Sequence, residues 1–515
     1  MGVRLDRLRN REFVTALAVS PALATAPLLH FWLDNRADVG SSRPILNAIV
    51  FAAILSMVIT ALLVVQLRRV SQVVIGTAVG ANGYLFFQWQ QFDAGPYWLQ
   101  YTQWIAVAVA VSLVAIFLTR HKTGKFFVLT FTAIVFALPG LMLLSAPQVS
   151  RGLETADRAV IGPRISRPSE TPPNVYFILT DGYARADQLD RVLDYDETPF
   201  IADLARRGFE VNPNAFASYP ATFLSVASIL DMDHIATSSD ALKDGEPPYY
   251  QKMQGDNAAV KAFHERGYTY IHAESGTYSA SDCNDGFFDV CIEAEGDIGE
   301  VTISETERAV AELTPLSPLL DAGLLPVSDL YTDPQTMIGQ LWQDRPTSPY
   351  FVFSHVVAPH PPHRRDADCD LLARTSGKLA TGWKPEMRAG YVDSVDCLHK
   401  QLLAAIDTIL KDDPTAIIVI TGDHGSAFET PWGSSFDAWT DNEILERYAT
   451  FHAARLPERC NAYDDPEAAD NVVNSLRVVL ACIDGEAPEL RQPRAFFHRY
   501  GKDLIEFDDL TAFAE

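Results

Sequence analysis

TAIIVITGDHG, residues 415–425, reads as a buried strand that ends in chemistry. Ala416 to Ile420 is an unbroken apolar run rich in isoleucine and valine, and it stops at Thr-Gly-Asp-His-Gly. A continuous rather than alternating apolar strand belongs in a sheet covered on both faces. NVYFILTD (174–181) repeats the pattern and also ends in an acid. YTYIHAES (268–275) and PYFVFSHVV (349–357) read as two more strands. Helix patterns alternate with them: TPFIADLARRG (198–208), and YVDSVDCLHKQLLAAIDTILKDD (391–413), which places Val392, Val395, Leu398, Leu402, Ile406 and Ile409 on one stripe. This alternation predicts an α/β domain over residues 174–515, with a mostly parallel central sheet flanked by helices.

The chain's 515 residues exceed one ordinary domain, and its first 150 have another character. They carry 11 basic and 5 acidic residues, a net of +6, against −31 for the remainder. Five apolar stretches, at about 13–33, 46–66, 71–89, 103–119 and 126–145, each approach the ~20 residues that a membrane-spanning helix needs. A five-helix transmembrane region over 1–146 is therefore expected. Arg4, Arg7, Arg9 and Arg11, then Arg68 and Arg69, then Arg120, Lys122 and Lys125 mark one side as cytoplasmic. That register puts the N-terminus inside and everything after about residue 146 outside. Residues 147–173 hold five prolines and no sustained period, and read as a linker.

The net charge of −25 argues against a protein that neutralises nucleic-acid phosphates. All six cysteines lie in the exported half: Cys283, Cys291, Cys369, Cys397, Cys460 and Cys482. An even count there suggests disulfides in an oxidising compartment, and pairing of neighbours (283–291, 369–397, 460–482) is the expected arrangement.

In open α/β sheets, ligands bind beyond the carboxyl ends of the strands. Three strands end in potential ligands: Asp181, His355 or His360, and the pair Asp423–His424, with Gly182, Gly422 and Gly425 beside the acids. Two carboxylates and an imidazole suit zinc or another divalent transition metal. In SYPATFLSVASIL (218–230), Thr222 follows a proline turn at the start of a helix, where backbone N–H groups favour a phosphate. Either Thr222 caps that helix or its hydroxyl serves as a nucleophile.

TDGYARAD (180–187), YPATFLSVASIL (219–230), FSHVVAPHPPH (353–363) and IIVITGDHGSAF (417–428), in this order, resemble the alkaline phosphatase/sulfatase superfamily over roughly residues 174–460. Within it the chain is most similar to the sulfatase-like group of lipoteichoic acid synthases and phosphoethanolamine transferases, which are commonly five-span membrane enzymes. The resemblance implies Asp181, Thr222, Asp423 and His424 as metal ligands and Thr222 as the nucleophile. It implies His360 as catalytic and substrate-binding, and His363 as sharing the substrate role. His355 and His452 are expected to be structural, and Arg185, Arg364 and Arg365 to be solvated charges. One divalent metal site, for Zn or Mn, is implied, and a complete second set of ligands is not evident.

Two departures stand out. Asp181 occupies a place where the transferases usually have Glu. No C/S-x-P-x-R segment exists for formylglycine: Ser218 has Pro220 two residues on, but Thr222 stands where the arginine should be. Sulfate-ester hydrolysis is thereby disfavoured. The expected function is transfer of a phospho-alcohol group, of phosphoethanolamine or phosphoglycerol type, from a membrane lipid donor to an envelope glycan or lipid. The alternatives are a phosphodiesterase, phosphatase or sulfuric-ester hydrolase using water, or a catalytically silent membrane protein.

Overall fold

The computed structural model describes residues 2–35, 43–119 and 172–507, apart from 68–69, 93–95, 244, 277–278, 284–286, 295–300, 304, 322–323, 325–326, 330, 348, 377–382, 432–433, 459, 461–469 and 500–502. The chain divides into two compact units. One comprises Met1–Ser150 with Gly299–Asp329, the other Arg151–Ile298 with Leu330–Glu515. The single boundary near residue 150 expected from composition is thus joined by an excursion, 299–329, that groups with the N-terminal helices.

In the first unit, helices α1 (Gly2–Asn35), α2 (Arg43–Gln66), α3 (Gln72–Phe86) and α4 (Tyr97–Thr119) pack together. Along α2 and α4 large apolar side chains face outward, among them Phe51, Ile54, Leu62, Ile105, Leu113 and Phe117. Three segments are long and apolar enough to cross a bilayer: Glu12–Leu33, Pro44–Gln66 and Tyr97–Ala115. The expected span at 71–89 is shorter than read. Gln88, Gln90 and Gln91 interrupt the apolar run, and α3 stops at Phe86 after 15 residues. At 1.5 Å per residue that is ~22 Å, short of the ~30 Å hydrocarbon core. The fifth expected span, 126–145, and nearly all of the linker lie outside the described residues.

The second unit is built on a seven-stranded sheet. Its strands are β1 (Val175–Asp181), β2 (Glu210–Val211), β3 (Thr269–Ala273), β4 (Val290–Ile292), β5 (Tyr350–Pro359), β6 (Ile417–Gly422) and β7 (His452–Arg455). The order is β2-β7-β6-β1-β5-β3-β4. The pairs from β6 through β1, β5 and β3 to β4 are parallel, and β7 runs antiparallel beside β6. Every residue of β1, β5 and β6 is buried.

Alternate side chains supply two cores, as the strand period of two requires. Val175, Phe177 and Leu179 join Phe351, Phe353 and Val419 on one face, against helix α5 (Thr222–Asp231). Tyr176 and Ile178 join Val352, Ile418 and Ile420 on the other, against helix α7 (Arg388–Asp412) through Tyr391, Val395, Leu398, Leu402 and Ile406. Helix α6 (Glu305–Glu312) belongs to the excursion, and α8 (Asp441–Tyr448) precedes β7. The disulfides are Cys283–Cys291, Cys369–Cys397 and Cys460–Cys482, the neighbour pairing expected from sequence.

Candidate active site

Strand order brings the acids together. β1 lies between β6 and β5, so Asp181 at the end of β1 stands beside Asp423 just past β6. Backbone bonds hold Asp423: its N–H donates to Thr180 O at 3.1 Å, and its Oδ1 accepts from Gly182 N–H and His424 N–H, both at 2.9 Å. His424 Nε2 lies 3.3 Å from Asp423 Oδ2 and 3.6 Å from Asp181 Oδ1. His424 Nδ1 donates to the Gly425 carbonyl at 2.9 Å. A carbonyl can only accept, so the proton sits on Nδ1 and the Nε2 lone pair faces the carboxylates.

Thr222 completes the group. It is the first residue of α5, with Ala221 at the cap position, so its side chain does not cap the helix. Its Oγ1 lies 3.1 Å from His424 Nε2, and with Nε2 unprotonated the hydroxyl is the donor. Residues 223–231 are all buried, while Thr222 is half-exposed. The hydroxyl is therefore open to a ligand at a helix N-terminus.

His355 is the member that sequence reading placed as structural. It is fully buried on β5, in register with Leu179, and its Nε2 lies 3.6 Å from Asp181 Oδ2. Donor atoms of Asp181, His355 and Asp423 all fall within 4.8 Å of one another. The available signal was an imidazole inside the otherwise apolar strand YFVFSHVV. His355 Nδ1 bonds Ser281 Oγ at 3.0 Å, which orients the ring.

The electrostatics suit a cation. Burial pushes the Asp181 carboxyl up, but His360, His355 and His424 around it prevail and hold it below the usual carboxylate range. Burial and then the Asp181 carboxylate push Asp423 well above that range. Burial, aided by Arg447, keeps His424 far below the ordinary imidazole value. Two buried carboxylates this close resist joint ionisation unless positive charge joins them. Asp181 Oδ1 and Asp423 Oδ2 are buried without a hydrogen-bond partner. Two carboxylates, two imidazoles and a hydroxyl fit a divalent cation of zinc or manganese type.

His360 is half-buried, with its ring centre 6.3 Å from that of His424 and 5.2 Å from Trp383. His363 follows three residues on. It is buried against Ser394, whose Oγ lies 3.2 Å from His363 Nδ1, and burial pulls its imidazole down to about 3. A small cavity of about 30 Å³ opens beside His360, lined by Tyr331, Arg364, Arg365, Ser394 and Gln401. The three arginines are not solvated charges. Arg185 is buried and paired with Asp187 at 2.7 Å, and Arg364 and Arg365 are half-buried in the cavity wall. His452 is buried on β7, with its imidazole pulled down to about 4.

Two supporting residues carried no local sequence signal. Arg447 on α8 is buried, and its Nε donates to Pro220 O at 2.7 Å while Nη1 donates to Gly425 O at 3.2 Å. It thus ties the turn before Thr222 to the loop after His424. Glu446 accepts from Ser426 Oγ at 2.7 Å and from the N–H groups of Phe428 at 2.6 Å and Glu429 at 2.9 Å. Gly425 is required here, because a Cβ would collide with the Glu446 and Ala449 carbonyls.

A mostly parallel α/β sheet with acids and imidazoles at its carboxyl edge, faced by a hydroxyl at a helix start, defines an enzyme of the alkaline phosphatase/sulfatase superfamily. The chain belongs to the sulfatase family, whose model matches residues 173–470. Among curated proteins no match is found. Solved structures include similar chains. The C-terminal periplasmic domain of EptC from Escherichia coli is 14% identical, over 67% of this chain and 95% of that chain, with a TM-score of 0.40. Lipooligosaccharide phosphoethanolamine transferase A (EptA) from Neisseria meningitidis, an integral membrane protein, is 11% identical, over 92% of this chain and 96% of that chain, with a TM-score of 0.39. The lipoteichoic acid synthase LtaP from Listeria monocytogenes is 12% identical, over 64% and 76%, with a TM-score of 0.37.

Proposed function

We propose that this protein is a membrane-anchored, metal-dependent transferase. It moves a phospho-alcohol group, of phosphoethanolamine or phosphoglycerol type, from a lipid donor to an envelope glycan or lipid. The observation that carries this reading is Thr222: a half-exposed hydroxyl at a helix start, 3.1 Å from His424 Nε2, in a family member that lacks the formylglycine segment. The catalytic half stands on the outer side of the cytoplasmic membrane, with the N-terminus inside. Three disulfides in that half support an oxidising compartment. Membrane-spanning helices hold the site at high effective concentration with a lipid donor.

Asp181, Asp423, His424 and Thr222 would hold the cation, with His355 joining them. When bound, a divalent cation supplies positive charge that lowers the pKa of a nearby hydroxyl and offsets charge on a phosphoryl group. Thr222 Oγ1 gives its proton to solvent water and attacks the phosphodiester in line, the bond to the lipid alcohol breaks, and a threonine-linked phosphodiester forms. His360, beside the cavity, gives the departing alkoxide its proton. The acceptor hydroxyl then attacks phosphorus and passes its proton to His360, the bond from phosphorus to Thr222 breaks, and Thr222 takes a proton from water. Arg364 and Arg365 in the cavity wall bind the head-group phosphate, and His363, between His360 and these arginines in sequence, shares the substrate role.

The test uses the full chain in detergent, loaded with Zn²⁺ or Mn²⁺, on bis-para-nitrophenyl phosphate and para-nitrophenyl sulfate. Phosphodiester cleavage should fall roughly 10³-fold or more in Thr222→Ala, with sulfate untouched. Full activity in the variant would end the covalent reading. Head-group release without any acceptor would mark water as the acceptor and the enzyme as a hydrolase.

A further inference from the structure

We propose that the excursion from the catalytic half, residues 299–329, is a membrane-surface element in which Leu316 and Leu324 enter the lipid at the bilayer boundary. The proposal rests on the membrane-spanning reading of α2 and α4, not on the transferase reading. The excursion belongs to the same compact unit as the helices. Its helix α6 packs against α2. The Trp89 N–H donates to Leu313 O at 2.9 Å, and the Tyr101 hydroxyl donates to Pro315 O at 2.7 Å. Both donors sit at the end of the membrane helices, in the turn between α3 and α4 and in the first turns of α4.

That end is marked as a boundary by its aromatic residues. Trp89 lies 4.9 Å from Tyr101 and 6.5 Å from Trp104, measured between ring centres. Tyr97 and Trp98 beside them are exposed. Amphipathic aromatic rings collect where hydrocarbon meets head groups. The excursion is therefore fastened at that depth.

Beyond these two bonds the excursion turns apolar. LTPLSPLLDAGLLP, residues 313–326, holds a single charged residue, Asp321. Leu316 is 44% exposed and Leu324 is 70% exposed. Charged residues lie upstream instead, on α6 at Glu305, Glu307, Arg308 and Glu312. Beside a bilayer, exposed leucines behind an aromatic belt have a partner: the acyl region just beneath the head groups. The partner is thus the lipid surface that the helices cross, and the excursion gives the catalytic half two further chain connections to it.

The experiment places an environment-sensitive NBD label on the full chain in lipid vesicles. The six native cysteines are all paired, so a single added thiol takes the label. Leu316→Cys and Leu324→Cys are compared with Lys411→Cys, which is exposed in the catalytic half. Emission at 316 and 324 should shift to the blue, and shallow doxyl-labelled lipids should quench it about twofold, with no quenching at 411. Quenching at 316 and 324 no greater than at 411 would overturn the proposal. A blue shift without lipid quenching would also overturn it, because the leucines would then be covered by protein.

Discussion

His424 carries its proton on the nitrogen that faces Gly425 and turns its lone pair toward Asp181, Asp423 and Thr222. His355 is set by the same logic, through Ser281. A partner on the far nitrogen fixes ring orientation and basicity, and its loss commonly costs 10–100-fold in metal affinity. Ser281→Ala should therefore weaken Zn²⁺ binding by roughly 10–100-fold in a chelator-competition titration, and His355→Ala should weaken it more. Unchanged affinity in both would remove His355 from the metal group. Asp181, Asp423 and His424 were readable in sequence because each ends a buried strand and stands beside a glycine. His355 was left as an alternative to His360, because an imidazole in mid-strand is equally a satisfied core residue until the neighbouring strand's register is known. His363, in the motif FSHVVAPHPPH, is buried with Ser394 Oγ 3.2 Å from its Nδ1.

At the scale of elements, α8 has a role that its sequence conceals. Arg447 spans from the Pro220 carbonyl to the Gly425 carbonyl, so it sets the distance between the turn before Thr222 and the His424 loop. Lysine keeps the charge but loses the fork of donors. Arg447→Lys should lower kcat about 10–100-fold, since an ångström of misplacement is that costly. Zn²⁺ affinity should stay within a fewfold of wild type. An equal loss of both would mean that the helix holds the metal ligands rather than the nucleophile. The strands and long helices were legible because buried runs and the α7 stripe extend over many residues. α3 was overread because apolar composition continued past Phe86 while the glutamines that end the helix were few. Its pairing with α1 along Gly76 and Gly80, against Ala16 and Ser20, is a packing fact that hydropathy does not carry.

At the scale of the molecule, several buried histidines tie stability to pH. Burial pulls His452 and His498 down to about 4, against an ordinary value of 6.5. The unfolded chain thus takes up protons below about pH 6.5 that the folded chain refuses until about pH 4. Stability from these groups is complete above 6.5 and is lost as pH falls toward 4. Each costs about 2 kcal/mol at pH 5. The melting midpoint of the full chain in detergent should drop between pH 7 and pH 5, and His498→Leu should make that drop smaller. An unchanged drop would place the acid sensitivity elsewhere. The excursion at 299–329 escaped the sequence reading for a related reason of scale: its apolar pieces are too short to signal a span, and only tertiary grouping reveals where they go.

The strand order also governs how the protein can be made. β1 lies at the centre of the sheet, and its partners Phe351 and Ile417 follow Val175 by some 180 and 240 residues. At roughly 5–20 residues per second, synthesis leaves β1 without its flanking strands for on the order of ten to fifty seconds. During that interval VYFILTD is an unpaired, largely apolar edge, of the kind that adds foreign strands. A cell that makes this enzyme has to guard its central strand until the last third of the chain arrives.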